Sequence, residues 1–412
     1  DPDDPQWPNR DRFVLSAGHA SMLLYSLLHL AGYKLTMEDL QNFRQWKSLT
    51  PGHPEYGLTL GVECTTGPLG SGFSNAAGMA LGAKMMGARF NSSNDTLIDS
   101  RIFVLCSDGD MQEGIASETA SLAGHLGLGN LIALYDSNDI TIAGDAGLAM
   151  SEDVGRRFEA YGWHVQHCDG HNHDEIAACL EEALRVPMKP SLIVAKTLIG
   201  KGAPTKEGTA GSHGAPLGAD EIRSAKQALG WEEKPDFHVP DEVREVFEER
   251  KKNLKLQHQE WEKRLTSWEK SNPEKTELWA SHWEKKLPDN LLNQLIETID
   301  GEEDATRNLS GKIIQKMAEL IPSLVGGSAD LEPSNKTLIN SAESIRPASS
   351  DSNSIPDPSF SGRNIHFGIR EHAMGGITNG LALFGAWRPF CGTFAVFSDF
   401  MRPSVRLAAI SK

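Results

Sequence analysis

Four short apolar runs, "RIFVLC", "LIALYD", "GWHVQH" and "SLIVAKT", follow one another between Arg101 and Thr197, each separated from the next by a helical pattern. Strands this short and this continuously apolar have both faces buried, so they belong to a parallel sheet with helices on either side. The intervening segments "EGIASETASLAGHLG", "SEDVGRRFEAYG" and "HDEIAACLEEALR" supply those helices. Upstream, "SAGHASMLLYSLLHLAGY" has apolar residues at helical spacing, and "TMEDLQNF" opens on Thr36 with an acid three positions on, as a helix start should. The pattern predicts a doubly wound α/β domain over residues 1–238.

From Val239 the character changes. The stretch through "EWEKRLTSWEKSNPEKTELWASHWEKK" is dense in mixed charge with widely spaced Trp and Leu, and reads as a connector of solvated helices over 239–300. A second α/β pattern then fills 301–412: "TRNLSGKIIQKMAEL" as helix, "SLVGGSAD" as strand and turn, "NIHFGI" as strand, "REHAMGGITNGLALFG" as helix, "RPFCGT" as strand and "FSDFMRPSVRLAAI" as helix. Three strands are few for a parallel sheet covered on both faces, so this second domain is expected to be incomplete or completed by a partner. A length of 412 residues accommodates more than one core.

Charge and cysteine usage narrow the function. Forty basic against 56 acidic residues give a net charge of -16, which argues against nucleic acid or an anionic membrane surface as a partner. The five cysteines are odd in number and form no close-spaced pair, so neither a disulfide framework nor a zinc site is expected. No uncharged apolar run reaches the roughly 18 residues that span a bilayer. The first residues, "DPDDPQWPNRDRF", are unlike a signal peptide, and a cytoplasmic location is expected.

The chemistry concentrates in "VLCSDGDMQEG", where a core strand runs into Asp108, Asp110 and Glu113. In open α/β sheets ligands sit beyond the carboxyl ends of strands. An acid there repels a phosphate unless a divalent cation lies between them, and Mg²⁺ takes one or two protein oxygens plus phosphate oxygens. Asp108 is the candidate ligand. The next strand end, "LIALYDSNDITIAG", offers Asn138 and the backbone carbonyl of Ile140. Asp110 is left without a ligand role and is expected to face solvent at the helix start.

These motifs resemble the thiamine-diphosphate signature of the transketolase family, with Ser107 where that signature begins with Gly. "TPGHPEYGLTLGVECTTGPLGSG", "GSHGAPLG", "GGSADLEPSN", "IHFGIREHAMGGITNG" and "GTFAVFSDF" are similar to further segments of the family, in its order. The likeness spans essentially the whole chain and is weakest in the charged connector. It implies the thiamine-diphosphate-binding fold, with 1–238 as the diphosphate domain and 301–412 as an incomplete aminopyrimidine domain. It implies thiamine diphosphate held through Mg²⁺, with Ca²⁺ or Mn²⁺ as substitutes, on Asp108, Asn138 and the Ile140 carbonyl. His19, Gly67, Leu69, Gly109, Ile142 and His213 would line the cofactor, Leu69 as an apolar wedge. His53 and His213 would meet the substrate's hydroxyl groups. Glu371 would bond the aminopyrimidine, and Phe394, Phe397 and Phe400 would pack its ring. Glu113 and Glu118 match glutamates of a proton-sharing network between protomers. Arg307 and Ser334 match ligands of a sugar phosphate, and Asp330 a position near the cofactor across the interface.

The reaction so implied is reversible transfer of a two-carbon ketol unit from a ketose phosphate to an aldose phosphate, in a homodimer, as in the pentose phosphate pathway and Calvin cycle. One family histidine preceding this segment, and several ligands following it, have no match here, so the chain tested alone is expected to show weak or no turnover. Two other readings stay open: a related enzyme such as dihydroxyacetone synthase or deoxyxylulose-phosphate synthase, and a non-catalytic homologue that dimerises and binds cofactor. A hydroxyl at Ser107 would lie close to the diphosphate.

Overall fold

The computed structural model describes residues 1–347 and 358–412. Its strands are β1 (Arg12–Leu15), β2 (Ile102–Ser107), β3 (Leu131–Ser137), β4 (Ile140–Thr141), β5 (Gly144–Asp145), β6 (His164–Asp169), β7 (Ser191–Lys196), β8 (Leu324–Ser328), β9 (Asn364–His366) and β10 (Arg388–Gly392). Five of them form one sheet in the order β1-β2-β3-β7-β6, every pair in it parallel. A second parallel sheet has the order β10-β8-β9, and β4 and β5 make a small antiparallel ribbon. Register brings three loops level: Leu15 pairs with Leu105, and Ser107 with Asp136, so the chain leaves β1, β2 and β3 side by side at Ser16, Asp108 and Asn138.

Edge strand β1 lies in "RFVL", directly after the Pro-rich opening, and is one element the apolar-run pattern does not reveal. Another is the helix Ser71–Phe90, "SGFSNAAGMALGAKMMGARF", which is buried on nearly every side. It runs between the two sheets and packs along the helix Glu371–Phe384. Small residues permit that approach: a Cβ on Gly78 would lie 2.2 Å from the Ile377 carbonyl oxygen, and one on Gly380 would lie 2.0 Å from that of Asn75. The Trp387 indole donates to the Gly82 carbonyl at 3.0 Å. Arg12 of β1 crosses the same seam, donating to the Phe384 carbonyl at 3.0 Å, with its guanidinium 4.1 Å above the Phe384 ring.

Residues 239–300 fold as the helices Asp241–Ser271, Pro273–Trp283 and Leu291–Ile299. Their charges face out as the composition predicts, but the tryptophans do not. Trp261, Trp268 and Trp279 are buried, the latter two edge-on to Phe90 with ring centroids 6.0 and 5.1 Å away, and the Trp261 indole donates to the Leu97 carbonyl. His282, also buried, reaches the Ala386 carbonyl with Nδ1 and the Arg89 guanidinium with Nε2. Burial and the neighbouring Arg89 hold its pKa down at about 3, so the ring is neutral and accepts from Arg89. The aromatic spacing that reads as sparse in sequence is what fastens this segment to the core.

Candidate cofactor and active site

Asp108 begins the turn after β2 and is buried. Its Oδ1 accepts from the Tyr135 hydroxyl at 2.6 Å, and its Oδ2 from the backbone N–H groups of Asn138 and Asp139 at 3.0 and 2.9 Å. Burial raises its pKa above the usual carboxylate range, partly offset by these three donors. Asn138 is fixed at both ends of its amide: Oδ1 accepts from Ile140 N–H at 2.9 Å, and Nδ2 donates to Asp136 at 3.1 Å. Ile140 opens the β4–β5 ribbon, and Ile142, at its turn, is 81% exposed.

Asp110 does not face solvent. It is wholly buried, its Oδ1 accepting from the Ser16 hydroxyl at 2.6 Å and Gly70 N–H at 2.7 Å. Its Oδ2 accepts from Ser107 N–H at 2.8 Å and the Ser107 hydroxyl at 2.9 Å. One carboxylate thus ties together the loop after β1, the start of the helix Ser71–Phe90 and the Asp108 turn. The Ser107 hydroxyl is committed to this acid rather than to a ligand, as one half of a capping box. Its backbone, at φ -125° and ψ 173°, is ordinary extended chain that makes no demand for glycine.

The loops so tied carry the remaining residues of the first domain. His19 and His213 stack with ring centroids 5.0 Å apart; desolvation, then His213, hold His19 below the ordinary histidine range. Gly67, at φ +134°, lies over His53, whose ring would be 3.2 Å from a Cβ there. A Cβ on Gly109 would strike Leu69 at 2.8 Å. On these loops Thr66 Oγ1 and His213 Nδ1 are buried without a hydrogen-bond partner. Two unsatisfied polar atoms, a glycine cradle and an oriented carboxylate fit a polar, phosphate-bearing cofactor with a cation.

Glu371 starts the helix Glu371–Phe384, and Glu118 lies beside it, accepting from Ala373 N–H at 2.9 Å. Burial, and then the charge of Glu371, push the Glu118 carboxyl up. Exposed Glu113 lies close enough to His372 to favour that ring's protonation, which burial opposes more strongly. Phe394, Phe397 and Phe400 form a ladder with ring centroids 6.0 and 6.2 Å apart. Phe394 and Phe400 are exposed, so the stripe is a surface rather than a core seam. Arg307, Ser334 and Phe394 line one cavity of about 640 Å³, beyond the ends of β8 and β10. Asp330 lines another, of about 390 Å³, with His366 and Arg370. Among the described residues, no hydrogen bond or ring contact joins the Phe ladder, Arg307 or Ser334 to His19, His53 or Asp108. Asp110 and Tyr135 were not legible as site residues; the only sequence signals were Asp110 three positions after Ser107 and Tyr135 on the strand leading to Asn138.

Paired parallel α/β units, with an acid turn and an Asn loop at the strand ends of the first, define a thiamine-diphosphate-binding protein. The description "Transketolase, thiamine diphosphate binding domain" matches residues 1–288, and "Transketolase, pyrimidine binding domain" matches 302–412. The chain belongs to the transketolase family. It is 50% identical over 411 residues to the transketolase of Geobacillus stearothermophilus and 47% to that of Bacillus subtilis, covering 99% of this chain and 60% of each relative. Transketolase from Pichia stipitis, solved with sedoheptulose 7-phosphate, superposes with a TM-score of 0.94 at 43% identity, over 100% of this chain and 60% of that one. Transketolase from Campylobacter jejuni does so at 0.88 and 44%, over 100% and 61%. The chain therefore spans about 60% of the length of the curated relatives it matches. Among the described residues no helix is long and apolar enough to cross a membrane.

Proposed function

We propose that this chain supplies the cofactor-binding part of a cytoplasmic transketolase, a homodimer that moves a two-carbon ketol unit between sugar phosphates. Residues 1–238 would hold the diphosphate, 239–300 connect, and 301–412 hold the aminopyrimidine. The observation that carries the reading is the Asp108 carboxylate, oriented by Tyr135 and the Asn138 loop at the ends of β2 and β3, together with the unpartnered Thr66 Oγ1 and His213 Nδ1 on loops of the same domain.

Asp108, Asn138 Oδ1 and the Ile140 carbonyl would hold Mg²⁺, and Thr66 and His213 would meet the cofactor. Bound there, thiamine diphosphate supplies an electron sink for breaking the bond next to a ketose carbonyl. The protein's share is placement and proton control. Glu371 would bond the aminopyrimidine, and beside it Glu118 has its own carboxyl pushed up by burial and then by the charge of Glu371. His19, kept neutral by its surroundings, can accept a proton from a hydroxyl that His53 or His213 orients. Arg307, with Ser334 in the same cavity, presents the planar fork suited to a phosphate. The two half-sites of one chain, left unjoined, favour a dimer in which each completes the other's, and Arg307 with Ser334 favours sugar phosphates over other acceptors.

Calorimetric titration with thiamine diphosphate and Mg²⁺, followed by a coupled ketol-transfer assay, tests the reading. Saturable, Mg²⁺-dependent binding is expected. Binding with weak or no turnover is the outcome expected of this chain tested alone, and absence of binding overturns the proposal.

A further inference from the structure

His213 is carried over His19 by a loop with little packing of its own. Past Gly200 the chain runs to the helix Ala219–Ala228, and along the way Ala215, Pro216 and Gly218 are exposed. Gly214 and Gly218, at φ +69° and +92°, have nothing within 4 Å of a Cβ, so residues 215–217 hang between two glycines whose backbone is free to turn. One side chain closes this span. The Lys206 carbonyl accepts from Thr209 N–H at 3.2 Å and from the Thr209 hydroxyl at 2.8 Å. The Thr209 carbonyl in turn accepts from Ser212 N–H at 3.2 Å and from the Ser212 hydroxyl at 2.8 Å. The Lys206 ammonium then donates to the Leu217 carbonyl at 2.9 Å and the Pro216 carbonyl at 3.2 Å, closing residues 206–217 into a ring that contains His213. Among the described residues no other side chain hydrogen-bonds residues 214–217.

The base from which Lys206 reaches is itself anchored. Thr205 donates to Glu221 through its N–H at 2.7 Å and its hydroxyl at 2.8 Å, which ties the foot of the ring to the helix that follows it. His213 depends on such bracing, because its Nδ1 has no bond of its own and its ring is held by stacking on His19. A polar atom without a partner takes its direction from the loop that carries it, and a binding group must be held close to its productive geometry by its supports. We propose that Lys206 is a positioning residue for His213: by pinning the Pro216 and Leu217 carbonyls it fixes the loop that aims the imidazole into the cofactor site. The proposal rests on the reading of His213 as a cofactor contact.

The test is the affinity of the 412-residue chain for thiamine diphosphate in Mg²⁺, measured by calorimetry in a double-mutant cycle. Lys206→Met keeps the stem and removes the donors. It is expected to weaken binding about 3- to 10-fold, the worth of one hydrogen bond at the cofactor, and by no more than His213→Ala does. In the His213→Ala background the same change should cost less than about twofold, because the ring then has nothing to aim. Lys201, exposed and unbonded among the described residues, controls for charge, and Lys201→Met should leave affinity within about twofold. Unchanged affinity in Lys206→Met, an equal loss in both backgrounds, or an equal loss in Lys201→Met overturns the proposal and leaves the cofactor reading standing. A wild-type chain that does not bind, or a His213→Ala chain that binds as tightly as wild type, overturns the reading of His213 as well. Should Lys206→Met not fold, a crystal structure of the wild-type chain with thiamine diphosphate and Mg²⁺ decides. Lys206 on the Pro216 and Leu217 carbonyls with His213 on the cofactor supports the proposal, and Lys206 turned from those carbonyls refutes it.

Discussion

At the scale of single residues, the acidic turn holds two acids with opposite duties. Asp108, the proposed cation ligand, accepts three hydrogen bonds from β3 and the loop after it, while Asp110 spends its carboxylate on four donors from three loops. Ser107→Gly removes one of those donors. It should lower unfolding free energy in urea by roughly 0.5–1.5 kcal/mol, the net worth of one hydrogen bond, and leave thiamine diphosphate affinity within about twofold, well under 1 kcal/mol. Asp110→Asn sets an NH₂ against two donors and should cost more, roughly 2–4 kcal/mol. Weakened cofactor binding in Ser107→Gly at unchanged stability would place the hydroxyl on the diphosphate after all. The nearness of Asp108 to Asn138 was legible because both sit at the ends of successive apolar runs, which pair as neighbouring strands. The role of Asp110 was not, because Ser16 and Gly70, which bury it, are remote in sequence.

At the scale of elements, what was legible depended on one-sided burial. The helix His173–Leu184 covers a sheet face and shows its period, as does Thr36–Gln41 its capping box, where the Thr36 hydroxyl accepts from Asp39 N–H. The helix Ser71–Phe90 has no polar face to set against an apolar one, and Gly72, Gly78, Gly82 and Gly87 weaken its propensity. Gly78 and Gly82 are explained by the helix Glu371–Phe384 that they meet, Gly72 by Ser16, and Gly87 by Asn91 and Ile98. Gly78→Ala brings a methyl against the Ile377 carbonyl and Gly380, atoms of backbone that cannot turn aside. It should destabilise by about 3 kcal/mol or more. Gly114→Ala, a helix-start position with nothing within 4 Å, should instead be neutral or stabilising by up to about 1 kcal/mol. Comparable denaturation midpoints for the two variants would show that the helices do not cross this closely.

At the scale of the whole molecule, the two α/β units share one apolar core, in which Phe73 and Met79 of the first join Val325, Ile365 and Met374 of the second and Trp268 of the connector. Polar contacts cross the seam as well, among them Arg370 to Ser121 and Trp387 to the Gly82 carbonyl. Arg12, its guanidinium pushed down to about 9 by burial, meets Phe384 at the end of the Glu371–Phe384 helix, and Glu118 meets Ala373 N–H at its start. Because folding raises the Glu118 pKa, through burial and then Glu371, the folded state binds a proton that the unfolded chain has released. Stability from this group is complete below the ordinary glutamate range and is lost as pH rises through the raised value. Glu118→Gln keeps an acceptor for Ala373 but cannot ionise. Relative to wild type, its melting temperature should therefore climb between pH 4 and neutrality. A difference in melting temperature that stays constant over that range, or one that falls, would mean the carboxyl enters the seam already ionised, and that the closeness of Glu118 to Glu371 carries no proton.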